Sequence, residues 1–449
     1  MKQRPVYEPP SLVRHQMGLM NKFGRQHAPR PLLEIDGVSI ESLVAQHGSP
    51  LFVFSERTLV ANYRDFHEAF SRRYPRVRMA WSYKTNYNEA ICRVFHRQGA
   101  WAEVVSPFEY EKALRCGVAP EQIHWNGPYK PDDVAEKAAR DGTIIHVDNF
   151  DEIVRMEAVA KRVGCRPRVA VRVNMAIEGL QTWSRFGLNL ESGQARDAVR
   201  RIVSGGVLDL VGLHTHIGTF VLEPSAYATA ASKLARFANE LLSEHKIKLS
   251  FIDLGGGFAS PNSLKGQFLG GEQAAPGFAR YADAITQALT ALDYAPAERP
   301  TLVLESGRAL VDTAGYLVTS VIASKRQPDG QRGLILDAGV NLLFTSFWYN
   351  HTVQPAQETR GTPEATVLYG PLCMNIDVLR ESVKLPPLSA GERLVFRNVG
   401  AYNMTQWMQF ITLRPAVVMV GAHGETSVIR RAETVDDLRS LEQVPAWLR

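Results

Sequence analysis

TIIHVDNFDEIVRMEAVAKRVGCRPRVAVRVN, residues 143–174, decides the fold class. Two β-type runs, TIIHVDN (143–149) and RVAVRVN (168–174), flank DEIVRMEAVAKRVG, whose apolar residues recur at helical spacing and which closes on a glycine. Strand, helix and strand in this order predict a parallel crossover unit. The rhythm continues in both directions. Upstream lie RMAWSYK (78–84), WAEVVS (101–106) and IHWNG (123–127); downstream lie LVGLHTHIG (210–218), LSFIDLGGG (249–257) and TLVLESGR (301–308). Amphipathic stretches such as NEAICRVFHRQ, PFEYEKALRCG, PDDVAEKAARDG and ARDAVRRIVSGG separate them. Eight such units suit a (β/α)8 barrel better than an open doubly wound sheet.

After residue 310 the pattern changes. YLVTSVIASKR, GLILDAG, TVLYG, RLVFRNVG, AVVMVG and TSVIRR are β-rich, separated by Gly/Pro turns and short of helix. They predict a mostly β domain, a barrel or sandwich. The expected division is a lead-in over 1–50 partly packed on the β domain, a barrel over 51–310 and a β domain over 311–449. The run LFVFS (51–55) is a candidate for either domain.

Composition bounds the function. The chain has 449 residues, 45% hydrophobic and 22% charged, which excludes collagen-like, disulfide-scaffold and largely unfolded classes. The four cysteines (92, 116, 165 and 373) show no CxxC spacing and suit a reducing, cytoplasmic setting. No apolar run reaches the roughly 18 residues of a membrane span. Net charge is +5, and much of the excess sits where Lys2, Arg4, Arg14, Lys22, Arg25 and Arg30 face only Glu8. That start lacks the apolar core of a secretory leader and reads as a structural or partner-contacting arm. No concentrated patch predicts nucleic-acid binding.

In a (β/α)8 barrel the chemistry gathers at the C-terminal ends of the strands. Lys84 closes the first strand after the apolar run MAWSY; it is a plain strand-end lysine or an amine poised, with lowered pKa, for Schiff-base chemistry. HTHIGT closes the sixth. Alternation along a strand places His214 and His216 on one face, so a metal pair is an alternative to a stacking histidine, and Gly218-Thr219 offers donors to an anion. Gly255, Gly256 and Gly257 close the seventh strand, where backbone N–H groups can approach a phosphate. Glu305 and Arg308 close the eighth, as a structural ion pair or as an acid and an anion fork. A lysine, a glycine cradle, an acid for a ring nitrogen and a stacking histidine together meet the needs of pyridoxal phosphate.

These motifs resemble those of the fold-type III pyridoxal-phosphate decarboxylases, the diaminopimelate, ornithine and arginine decarboxylase group, from about residue 50 to about residue 410. YKTN resembles the Schiff-base lysine motif, HTHIGT the HxHxGS motif, DLGGGF the glycine cradle, ESGR the EPGR motif, GPLCMNID the GPxC motif and GAY (400–402) the closing tyrosine motif. The resemblance implies that Lys84 links to the coenzyme, that His216 stacks on its ring and that Glu305 pairs with its nitrogen. It implies further that Thr219, Gly255, Gly256, Gly257, Gly307, Arg308 and Tyr402 surround the phosphate, Arg308 alternatively turning to a substrate carboxylate. Glu103 and Arg172 match polar barrel residues near the coenzyme. The group's sites lie at a two-fold dimer interface, so the resemblance implies a homodimer in which Cys373 enters the partner's site and reprotonates Cα.

Two positions depart from the diaminopimelate pattern. Met374 stands where those enzymes carry Glu after the GPxC cysteine, and Thr345 stands where ungapped alignment of DAGVNLLFTSFWYNH (337–351) puts their Arg. Each missing charge-assisted partner is worth about 1.5–3 kcal/mol. With Arg172 and Asp377, these are the substrate-pocket candidates. The expectation is an α-decarboxylase of an amino acid or conjugate from a specialised siderophore- or antibiotic-type pathway, with diaminopimelate decarboxylase as the alternative. A metal-dependent barrel hydrolase and a non-catalytic homologue are remoter. The expected partners are a small amino-acid substrate and a second copy of the chain, with no metal, nucleic acid or membrane.

Overall fold

The computed structural model describes residues 29–267 and 270–449, so most of the basic N-terminal arm lies outside the described residues. Within the opening stretch, Phe150–Val163 is helical between Asn149, whose side chain accepts from the Glu152 N–H, and Gly164, whose φ of 68° ends the helix in the left-handed region. The strands Ile144–Val147 and Arg168–Asn174 pair in parallel on either side of it.

All eight expected barrel strands form. They are Val77–Ser82, Trp101–Val104, Ile123–Trp125, Ile144–Val147, Arg168–Asn174, Asp209–His214, Phe251–Asp253 and Thr301–Leu304. Each pairs in parallel with the next, and the last pairs with the first, so the sheet closes. A helix over Phe278–Ala288, absent from the sequence reading, fills the crossover to the eighth strand.

The alternation of side chains explains the barrel interior. Ala80, Ile144, Ala170, Val211, Phe251 and Val303, with the half-buried Trp101, form a separate apolar cluster on the inward face. Two residues further along, the same faces carry Ser82, Glu103, His146, Arg172, Asp253 and Glu305. The barrel is therefore plugged by an apolar floor and roofed by a polar layer, both written in steps of two. The outward residues, among them Trp81, Trp125, Val171 and Leu304, join the main core against the helices.

The β domain is built on Gly315–Arg326, which pairs with Arg332–Leu336, Arg393–Arg397 and Leu51–Ser55. Leu51–Ser55 also pairs with Val417–Val420. That strand therefore belongs to the β sheet, and the barrel's own elements begin with the helix Glu56–Ser71 rather than at residue 51. The strand's neighbours explain this: Leu51 and Val53 pack with Val318, Val395 and Val418 on one face of the β sheet. The domains are joined closely, because the Tyr402 N–H donates to the Thr85 carbonyl and the Asn86 amide to the Gly400 carbonyl.

Candidate active site

The first strand ends at Ser82, and Lys84 sits in the one-turn helix Tyr83–Thr85 that follows. Its Nζ donates to both oxygens of Glu103, at 2.7 and 2.6 Å, and the Ser82 hydroxyl donates to the same carboxylate at 2.6 Å. Burial works against the ammonium, but Glu103, Glu305 and Tyr402 outweigh it and raise its pKa above the ordinary lysine value. The sequence expectation of a lowered pKa is thus corrected. In this structure Lys84 is a held cation.

Glu305 follows the eighth strand and is buried. One oxygen accepts from the Asn126 amide, and the other lies 3.3 Å from His214 Nε2 without a hydrogen bond of its own. The sixth strand stops at His214, which turns inward toward Glu305. His216 lies beyond the strand, accepts from the Gly218 N–H at 3.3 Å, and stacks on Trp183 with centroids 5.5 Å apart and planes 12° apart. Both histidines line the cavity, but with His214 turned to Glu305 and His216 stacked on Trp183 they have different partners, which favours the stacking histidine over the alternative of a metal pair. Burial, then the Lys84 and Arg172 cations, push the His216 pKa down to about 3, leaving a neutral ring.

The glycines form a cradle that side chains would fill. A Cβ on Gly256 would lie 2.5 Å from the Glu305 carbonyl oxygen, one on Gly257 would strike the Gly218 carbonyl, and one on Gly307 would strike the Thr85 hydroxyl. Gly257 also has φ of 93°. Beside the cradle, Arg308 donates to the Thr219 hydroxyl at 3.3 Å and lies over the Tyr402 ring at 4.7 Å. Its Nη1 is buried with no hydrogen-bond partner. A buried, unpaired guanidinium nitrogen beside crowded backbone fits an anion such as a phosphate.

A cavity of about 300 Å³ opens between these parts, lined by Lys84, Glu103, Asn126, Arg172, His216 and Glu305 among others. Arg172 lies 3.3 Å from Asp148 and 4.6 Å from the Phe186 ring. Lysine, cradle, unpaired cation and unpaired carboxylate oxygen together fit pyridoxal phosphate. Asn126, Trp183 and Asp253 escaped the sequence reading, as did His124 and His146. The signal for most was a polar residue at an inward step of an otherwise apolar strand.

The β-domain candidates behave differently. Thr345 is buried, its hydroxyl 2.9 Å from the Asn403 Oδ1 that accepts from it and 2.8 Å from His351 Nε2. The Asp377 carboxylate accepts from the Val340 and Leu372 N–H groups at 2.7 and 2.8 Å. Neither lines the cavity; both tie loops of the β domain. Met374 packs against the core, and Cys373 is exposed at the protomer surface.

Residues 57–312 match the family model described as pyridoxal-dependent decarboxylase, pyridoxal binding domain. The diaminopimelate decarboxylase of Methanothermobacter thermautotrophicus is 30% identical over 429 residues, covering 93% of this chain and 96% of that protein. That of Methanocaldococcus jannaschii is 30% identical over 433 residues, with 92% and 95% covered. The crystal structure of the M. jannaschii enzyme in co-complex with L-lysine superimposes with a TM-score of 0.85 at 29% identity, covering 93% of this chain and 97% of that one. These relatives overturn the expectation of a specialised-pathway substrate. The expectation rested on Thr345 and Met374; Thr345 is locked into a loop network, and Met374 is half-buried against the core beside the exposed Cys373.

Proposed function

Since the chain belongs to the pyridoxal-dependent decarboxylases, a carboxy-lyase family that uses pyridoxal phosphate, we propose that it removes carbon dioxide from Cα of diaminopimelate and leaves lysine. The observation that carries the reading is similarity to diaminopimelate decarboxylases at about 30% identity along more than nine-tenths of the chain.

The coenzyme, when bound, supplies an electron sink for the pair left on Cα as the carboxylate departs. The chain's own groups do the rest. Lys84 provides the amine that anchors the coenzyme, and Glu103 keeps that amine oriented and holds its proton. Glu305 faces the ring nitrogen as an anion, fixed by the Asn126 amide. His216, neutral and backed by Trp183, offers a flat face to the ring. Arg308, Thr219, Tyr402 and the backbone at Gly255, Gly256, Gly257 and Gly307 receive the phosphate. Arg172 stands at the cavity wall for a substrate carboxylate.

Cys373 is proposed to enter the site of a second copy and return the proton to Cα. Its exposure supports this, as do the exposed apolar side chains of Phe347, Trp348 and Ile376 in the same part of the sequence. Among the described residues no helix is long and apolar enough to cross a membrane. Four unpaired cysteines support a cytoplasmic setting.

The test is carbon dioxide release by the coenzyme-loaded protein from diaminopimelate, lysine, ornithine and arginine. Turnover of diaminopimelate with lysine as product is expected; a loaded enzyme inert toward it would overturn the assignment. Mixing Lys84→Ala and Cys373→Ala chains tests the shared site separately. If subunits exchange, random pairing restores about a quarter of wild-type activity, because half the dimers regain one intact site.

A further inference from the structure

The roof of the barrel holds more buried titratable groups than the proposed reaction uses. His124, His146, His214 and Asp253 come from the third, fourth, sixth and seventh strands, and all are buried. His124 Nδ1 lies 3.0 Å from His146 Nε2 and 3.4 Å from Asp253 Oδ2. The His146 and His214 rings meet edge to face at 4.7 Å, and His214 Nε2 reaches to 3.3 Å from Glu305 Oε2. Donor atoms of His124, His146, Asp253 and Glu305 all fall within 4.8 Å of one another. Of these groups Glu305 and His214 line the cavity, and His124, His146 and Asp253 lie behind them.

Two carboxyls this close, buried together, cannot both be charged at low cost. The surroundings decide which one gives way. Glu305 has the Asn126 amide and the Lys84 ammonium on its side, and despite burial it is held well below the usual carboxylate range, His214 being the nearest contributor and Lys84 a further one. Asp253 has only the Gly255 N–H, on Oδ1, and burial followed by Glu305 pushes it well above that range. Burial drives His124 down to about 3 and His146 well below its ordinary value. The other charges near the cluster are Glu103 and Lys84, Arg172 and Arg168 on the fifth strand, and Lys130, whose ammonium donates to the His146 carbonyl and to Glu152.

We propose that His124, His146, His214 and Asp253 form a positioning network beneath the coenzyme: Asp253 stores the proton the carboxyl pair must keep, and the imidazoles hold the pair in register. Glu305 is thereby left as the anion that faces the ring nitrogen. The network rests on the assignment of Glu305 to that nitrogen under the proposed function. Its four members are positioning residues, and of them only His214 lines the cavity.

The test uses holoenzyme carrying coenzyme labelled with 15N in the ring, whose chemical shift reports protonation of that nitrogen as pH is varied. Asp253→Asn keeps a neutral donor of the same shape, and its titration is expected to overlay the wild type. Asp253→Leu removes the donor, and His146→Phe keeps the ring shape without the nitrogens. In both, the ring nitrogen should lose its proton about one pH unit lower or more, a tenfold change in the protonated ratio. Should Asp253→Leu not fold, His146→Phe carries the same comparison. An Asn variant displaced as far as the Leu variant would overturn the proposal, as would a His146→Phe titration identical to wild type. So would stoichiometric zinc in the purified protein that His146→Phe loses, since the cluster would then be a metal site. A wild-type chain that binds no coenzyme would instead sink the assigned function, and the network with it.

Discussion

Arg308 and Glu305 at the barrel mouth and Asp377 and Thr345 in the β domain, all buried, differ in whether their hydrogen bonds are already spent. At the mouth, Arg308 Nη1 and Glu305 Oε2 are buried without a hydrogen-bond partner, and both border the cavity or its cradle. In the β domain, the Asp377 carboxylate is taken up by two backbone N–H groups and the Thr345 hydroxyl by Asn403 and His351. An unmade hydrogen bond on a buried group costs about 1–3 kcal/mol, more when it is charged, so unspent polar atoms persist where a ligand repays them. Polar residues are therefore poor markers of a site. Unspent polar atoms mark one only where they border a cavity or cradle, because Asn341 Oδ1, Ser346 Oγ and His351 Nδ1 in the β domain are also buried without a partner.

The sharpest way to break this comparison is at Lys84. Lys84→Ala removes the anchoring amine, and decarboxylation should fall by about 1,000-fold or more while the fold persists, since the side chain is not part of the core. A variant with a tenth of wild-type turnover would show that the amine is not the anchor. Arg308→Leu comes next. Loss of a charge-assisted partner at about 1.5–3 kcal/mol should weaken coenzyme binding by about 10- to 100-fold, measured by titrating coenzyme into apoprotein. An unchanged affinity would mean that the unpaired Nη1 does not await the phosphate.

On the spent side the expectation reverses. Asp377→Ala strips the acceptor from two buried N–H groups and should lower stability by about 2–4 kcal/mol in urea unfolding. Substrate KM should stay close to wild type in the fraction that remains folded. A variant of normal stability with a large KM change would move Asp377 from the loop network to the substrate.

The same distinction explains what the sequence could and could not say. The eight strands were readable because parallel barrel strands are short apolar runs bracketed by amphipathic helices. Lys84, Glu305, Arg308 and the triple glycine were readable because strand ends concentrate function in this architecture. His124, His146 and Asp253 look like single interruptions in such runs, and only closure of the barrel brings them within contact. Thr345 misled for a different reason. It sits in the one-turn helix Phe344–Phe347, which points its hydroxyl toward Asn403, and ungapped alignment across 337–351 carries no information on that turn. The strand Val378–Leu385, half-exposed and charged, matched no apolar run at all.

The smallest effect tests whether the spent network is closed to protons. His351 is buried against Thr345, and burial, aided by the Arg380 cation, pushes its pKa from 6.5 down to about 3. Below pH 6.5 the unfolded chain binds a proton there and the folded chain does not. The stability this group contributes is complete above about pH 6.5 and is lost as pH falls toward 3, at about 1.4 kcal/mol per pH unit. His216 and His124 act in the same direction, whereas Glu109, pushed up to about 7, and Asp312, up to about 6, act in the opposite one. The total acid response is thus a partial cancellation and says little about any one group. His351→Gln isolates it, because glutamine can still bond Thr345 but takes no proton. Urea midpoints of the variant and wild type should draw apart by that slope between pH 6.5 and 4.5, the variant becoming relatively more stable. Parallel curves would mean that His351 takes its proton at the ordinary pH, and that the β-domain network is as open to water as the barrel mouth.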